Sequence, residues 1–153
     1  MGKQIGAGTI AKFGSAAAPT TLVDKSSFLK NADVQEMLDT VDITDLTADA
    51  DGYAKTFIAA LFSATISGAG DEDVVASASA FKFFHDAAHG TAHASGRGKI
   101  DFELLLGGAV TGNLKMSGTV LVTNNSLNAA HDGSIAGNRS FQVDGALTLA
   151  AQS

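Results

Sequence analysis

The sequence predicts a mainly β domain with one α-helix, built as a β-sandwich or barrel with the helix packed against it. Three observations carry this. Several segments alternate apolar and polar residues at the period of two that places one face in a core. One segment, 71–90, instead spaces its apolar residues by three and four, the signature of a helix face. The composition has 17 Gly, one Pro, no Trp and abundant Ala, Ser and Thr. That mixture suits strands, turns and close packing better than a charge-laced helical bundle.

Residues 1–19, "MGKQIGAGTIAKFGSAAAP", are Gly- and Ala-rich and read as a flexible N-terminal arm in which "GTIAKF" can form a short strand. Residues 20–153 form a single β domain. "TTLVD" at 20–24 is β-prone. "KSSFLKNADVQEMLDT" follows with irregular apolar spacing and reads as a long loop holding a helical turn. Val41, Ile43 and Leu46 outline a short strand. "TADADG" is a turn, and "AKTFIAALFSATISG" sets Phe62, Ala64 and Ile66 against Ser63, Thr65 and Ser67. The helix carries Val74, Ala78, Phe81, Phe84 and Ala88 on one face. Asp71, Glu72 and Asp73 stand at its start, where the dipole favours acids, and Gly90 at its end.

The remainder is β. "KIDFELLL" sets Ile100, Phe102 and Leu104 against Lys99, Asp101 and Glu103, before a Gly107–Gly108 turn. "VTGNLKMSGTVLV" puts Val110, Leu114, Met116, Val120 and Val122 on one face. A turn at "HDG" (131–133) or "AGN" (136–138) leads to "SFQVDGALTL". There Phe141, Val143, Leu147 and Leu149 oppose Gln142, Asp144 and Thr148.

Charge and chemistry exclude several functions. A net charge of −6 argues against a nucleic-acid clamp, which needs a basic face. Without Cys there is no disulfide, Cys-based zinc site or thiol nucleophile. The N-terminal segment "MGKQIGAGTIAKFG" has no apolar run long enough for a signal peptide or membrane span. Gly6 stands where a myristoylation signal has Ser or Thr. At 45% hydrophobic residues the chain is not globally disordered.

Two metal motifs fall short. With Gly52 at position 6 of a calcium loop, Thr47, Asp49 and Asp51 supply positions 1, 3 and 5, but position 12 is Ile58 instead of the closing Glu. His85, His89 and His93 are spaced by four, yet Gly90 breaks the helix between the last two and the Glu of HExxH is absent. The expectation is therefore no metal and no cofactor. No GxSxG, P-loop or dinucleotide fingerprint occurs, so no catalytic residue is assigned. Tyr53 is the single Tyr, which leaves a carbohydrate-binding β-sandwich, the alternative binding module, without a stacking platform.

The order of the pieces carries more than any motif. A strand ending in an acid and then Ser ("LVDKSSFL") leads through a loop to "VDITDL" and the alternating "ALFSATIS". An acidic helix start, a helix, a Gly break and further strands follow, with "VTGNLKMSGTVLVTNNSLN" and "NRSFQVDGALTL" closing the domain. Over residues 20–149 this resembles the tail tube, or major tail, proteins of long-tailed bacteriophages. Ala60 departs from the Gly common before the Leu in that family.

The resemblance implies a tail-tube-like β-sandwich or barrel flanked by a helix, and a structural virion protein that is not an enzyme. Its subunits would form homo-hexameric rings stacked into a hollow tube, with DNA passing through the lumen without sequence-specific binding. It implies tape measure and other tail proteins as partners, location in the virion tail and synthesis in the bacterial host cytoplasm. The tube of a contractile injection system or a gene-transfer particle is the related reading.

Polar-face strand residues Asp101, Glu103, Gln142 and Asp144 are candidates for the lumen wall; plain solvent exposure on the outer sheet fits their alternation equally well. Ile10, Phe13, Phe28, Leu29, Asp49, Asp51, Tyr53 and Phe83 are candidates for contacts between subunits.

Overall fold

A computed structural model describes residues 8–42, 57–73, 75, 77–129 and 135–153. Its strands are β1 (Ile10–Phe13), β2 (Val23–Asp24), β3 (Asp33–Asp42), β4 (Phe57–Asp71), β5 (Lys99–Leu105), β6 (Leu114–Ala129) and β7 (Ile135–Ala151). A 3-10 turn at Ser26–Phe28 and one helix, α1 (Ala80–His89), complete the described elements. The strands form one seven-stranded antiparallel sheet in the order β2-β1-β5-β6-β7-β4-β3.

The sheet curls until it packs on itself. β1 and β7 stand three strand spacings apart, about 14 Å in a flat sheet. Yet the rings of Phe13 and Phe141 stack with centroids 5.3 Å apart. Phe84 of α1 meets both, at 5.3 and 5.1 Å. Ile66, Ile100, Phe102, Leu104, Val120 and Val143 complete this core with their alternate positions turned outward.

Segment 25–31 closes the gap that the strands leave. At one end the Lys25 N–H donates to the Ala11 carbonyl (2.8 Å), and the Ala11 N–H donates to the Ser26 hydroxyl (3.1 Å). At the other the Lys30 N–H donates to the Ala69 carbonyl (2.7 Å), and the Ala69 N–H to the Asn31 side-chain oxygen (2.8 Å). The segment thus ties β1 to β4. Glycine makes the approach possible: a Cβ on Gly68 would lie 2.2 Å from the Asn31 carbonyl oxygen, and one on Gly70 2.3 Å from that of Phe28.

The short strand read within "GTIAKF" is Ile10–Phe13, paired with β5. Three boundaries differ from the sequence reading. Half of the segment read as a long loop is the ten-residue strand β3. The "AGN" turn is strand, part of β7, so the β6–β7 connection falls at 130–134, outside the described residues.

The helix begins at Ala80 instead of near Asp71, because the sheet takes that stretch first: Asp71 ends β4, and the Glu72 N–H donates to the Ile135 carbonyl. Ser79 caps the helix, accepting from the Lys82 N–H. Its buried stripe is Ala80, Phe84 and Ala87.

Glu72 still caps the helix, from outside it. Its carboxylate accepts from the Phe81 N–H (3.0 Å), from the Ser79 hydroxyl and from the fully buried Arg139. Burial pushes the Glu72 carboxyl up, but these hydrogen bonds outweigh it and hold the group below the ordinary carboxylate value. One ion pair therefore joins β4, β7 and the start of α1.

Candidate assembly surface

The assembly surface is built from a register offset. β7 pairs with β4 only over Thr65–Asp71, whereas β3 pairs with β4 from Ser67 back to Phe57. The β3–β4 hairpin therefore runs past the curled body. Leu38 pairs with Phe62 on the face that Ala64 and Ile66 bury lower down. Beyond the body no described residue covers that face, and Leu38, Val41 and Phe62 are exposed. The reverse face carries Met37 and Leu61, and Leu61 is the most exposed of the large apolar residues at 71%.

A strand pair that is apolar on both faces needs cover on both. β3 also has an outer edge with no strand partner among the described residues, and it carries Asp33, Glu36, Asp39 and Asp42. Acids on an edge discourage random pairing, so this hairpin favours a specific neighbour over aggregation.

Within the body, the open face that continues the Met37–Leu61 side of the hairpin is polar. Asp101, Thr119 and Asp144 line up across β5, β6 and β7. Asp101 accepts from the His93 ring and the Thr119 hydroxyl, both at 2.9 Å. Lys99 reaches Asp144 at 2.9 Å and Lys12 reaches Glu103 at 3.9 Å. Gln142 donates to the Ala64 carbonyl at 2.9 Å. All four residues named from the sequence share this face, and the three acids among them are each partnered by a basic side chain.

The residues expected between subunits are scattered. Phe13 and Leu29 are buried in the chain's own core, and this corrects the expectation for those two side chains: they have no surface to offer a neighbour. Phe28 and Phe83 are half-buried against each other, rings 5.4 Å apart, with Lys25 over both. Ile10 is half-buried at the start of β1. Asp49, Asp51 and Tyr53 lie outside the described residues, as does the Asp/Gly turn of the calcium-like motif.

His85 and His89 share an exposed helix side, rings 4.5 Å apart, while His93 is drawn away to Asp101. Among the described residues no group of three metal-ligating side chains forms. No described helix is long and apolar enough to cross a membrane.

The sequence reading missed Met37, Leu38, Leu61 and Phe57 as surface. The only signal was negative: 33–42 lacks alternation because both its faces are apolar in part.

Neither a protein-family model nor a curated protein matches the chain by sequence. Solved structures do. A chain from the tail of an empty gene transfer agent particle, determined with helical refinement and C6 symmetry, superposes with a TM-score of 0.69 at 19% identity, covering 97% of this chain and 100% of that one. The virion of a native gene transfer agent particle gives 0.67 at 20% identity, with 97% and 100% covered. The SPP1 tail tube gives 0.66 at 12% identity, with 98% and 80% covered. The chain has a tail-tube fold. The tail-tube fold here comprises the curled antiparallel sheet, the single helix and the projecting hairpin, since nearly the whole chain superposes.

Proposed function

We propose that this protein is a structural, non-enzymatic virion component: a tail tube subunit that forms hexameric rings stacked into a conduit for DNA. The observation that carries the proposal is the β3–β4 hairpin, apolar on both faces and projecting beyond its own body. A second copy supplies the missing cover. The stretch of β4 that β7 leaves unpaired, and the outer edge of β3, are where strands of neighbouring subunits join. Contacts of this head-to-tail kind close into a ring around an axis and extend into a filament along it.

The near full-length likeness to a chain refined with C6 helical symmetry supports the same geometry. Two of the structures named above are gene transfer agent particles, which supports a gene-transfer particle as the second reading. On either reading the subunit is made in the host cytoplasm and meets a tape measure and other tail proteins. Asp101, Glu103, Gln142 and Asp144 belong to the lumen side. Ile10, Phe28 and Phe83, with the 43–56 connection that includes Asp49, Asp51 and Tyr53, remain candidates for contacts between rings.

Negative-stain electron microscopy of the purified protein tests the proposal. Six-fold rings or tubes are expected. A chain that stays monomeric at high concentration, even with its tail partners, would end the proposal.

A further inference from the structure

We propose that His85 and His89, on the exposed side of α1, form a two-ligand site for a divalent transition metal ion of the Cu2+ or Ni2+ kind. The site belongs to the folded chain alone and needs no assembly.

The helix sets the pair. Residues four apart lie one above the other on a helix face. The stripe that α1 buries is Ala80, Phe84 and Ala87, and both histidines are exposed. Their ring centroids are 4.5 Å apart, with the planes tilted by 41°. Two imidazoles bound to one metal ion through nitrogens at about 2.0–2.1 Å carry their centroids about 3.2 Å from it. At right-angled positions those centroids are about 4.5 Å apart, and at tetrahedral positions about 5.2 Å. The observed separation fits the right angle, the geometry of square-planar or tetragonal Cu2+ and Ni2+.

The hydrogen bonding of His89 prepares it for the same task. Its Nδ1 lies 2.8 Å from the His85 carbonyl oxygen, and a ring nitrogen that faces a carbonyl must donate. The neutral ring therefore carries its proton on Nδ1 and leaves the lone pair of Nε2 bare. Metal-binding histidines are fixed in this way, with the second nitrogen donating to a backbone carbonyl or carboxylate.

The surrounding charge favours a cation. His89 stands in the last turn of α1, the negative end of the helix dipole. Asp86 lies beside the pair. Its hydrogen bond to Lys82 chiefly, and His85 and His89 to a smaller extent, hold its carboxyl below the ordinary value.

The third histidine of the motif is spoken for at both nitrogens. The His93 Nε2 meets Asp101 at 2.9 Å, and its Nδ1 accepts from the Ser95 N–H at 3.0 Å. The spacing H-x3-H-x3-H thus divides into an exposed pair and one histidine locked into the sheet. With two protein ligands the ion keeps water at its other positions, which makes it exchangeable.

The full chain, prepared without a histidine tag, has four His and no Cys, so few side chains compete for the ion. Calorimetric titration with Ni2+ should show one ion per chain, and electron paramagnetic resonance with Cu2+ should show two bound imidazoles. His85→Gln and His89→Gln each leave a single ring. Each should weaken binding about tenfold or more, because the second ligand binds at the effective concentration that the helix sets. Both positions are exposed, so circular dichroism should show an unchanged fold. Ni2+ should raise the melting temperature of the wild-type chain and not of either variant. His93→Gln, with its fold checked in the same way, should bind as the wild type does. No binding by the wild-type chain, or undiminished binding by either His85→Gln or His89→Gln, overturns the proposal. A loss in His93→Gln as large as in His89→Gln would require three histidines and overturns the two-ligand site.

Discussion

The curled body and the projecting β3–β4 hairpin spend the same kind of residue in opposite ways. In the body, Phe13, Phe84 and Phe141 meet one another edge-on or stacked, and Phe102 is buried in the same core. In the hairpin, Phe57, Phe62, Leu61, Leu38 and Met37 are exposed, although strand pairing continues without interruption through most of it. The two strands of the hairpin are thus hydrogen-bonded to each other but lack the burial of the body. Backbone pairing supplies shape, and apolar cover supplies stability; in this chain the two are separated by the point at which β7 parts from β4.

The comparison can be broken first at the buried ion pair. Glu72→Gln leaves Arg139 in the core without its counter-charge, and should cost about 3–5 kcal/mol in denaturant unfolding of the monomer. Its pH dependence carries a sign. Because the folded-state pKa of Glu72 is depressed, its contribution is fully present above the unfolded carboxylate value and is lost as pH falls through the lower, folded one. The wild-type protein should lose stability along that acid limb, and Glu72→Gln should flatten it. A variant with the wild-type slope would assign the limb to other carboxylates.

Phe84→Ala removes the ring that joins Phe13, Phe28, Phe83 and Phe141. A loss of about 3–5 kcal/mol is expected, with a lowered melting temperature. A loss under about 1 kcal/mol would mean that the core does not depend on the helix.

Gly70→Ala pushes a methyl group into the Phe28 carbonyl and should lift segment 25–31 off β4, for about 1–3 kcal/mol. Hydrogen exchange should show the Lys30 and Ala69 amides opening before the rest of the sheet. Uniform protection would show that the segment does not close the body.

Leu61→Ser sharpens the contrast at its small end. On the monomer it should change stability by no more than about 0.5 kcal/mol, as for other exposed positions. Its effect belongs to assembly, where sedimentation should show fewer or shorter tubes. A monomer destabilised as much as by Phe84→Ala would place Leu61 in the chain's own core.

Much of the fold was legible because one face of most strands is dry. β5 reads directly from Ile100, Phe102 and Leu104, and β7 from Phe141 and Val143. β3 was not legible. Met37, Leu38 and Val41 break alternation where a bulge shifts the register between Leu38 and Thr40 and where neither face is covered by the described residues. The helix start was misplaced for a different reason: acids beside an apolar run suit a helix N-terminus, but Glu72 performs that role across a gap in sequence. As for the site, the polar face was visible as residues, while the partners of its acids were not. Lys12 and Glu103 are far apart in the chain and meet only through the β1–β5 register.

The sequence by itself determined the class of this protein: alternating strands, one amphipathic helix, a net negative charge and no cysteine chemistry. These are local properties, set by which side chains can share a face. Only the tertiary structure decided that the sheet curls to bring β1 onto β7, that segment 25–31 ties it shut, and that β7 leaves β4 early enough to expose an apolar hairpin. Those outcomes depend on strand order and register, which arise between residues distant in sequence and leave no periodic trace in any one segment.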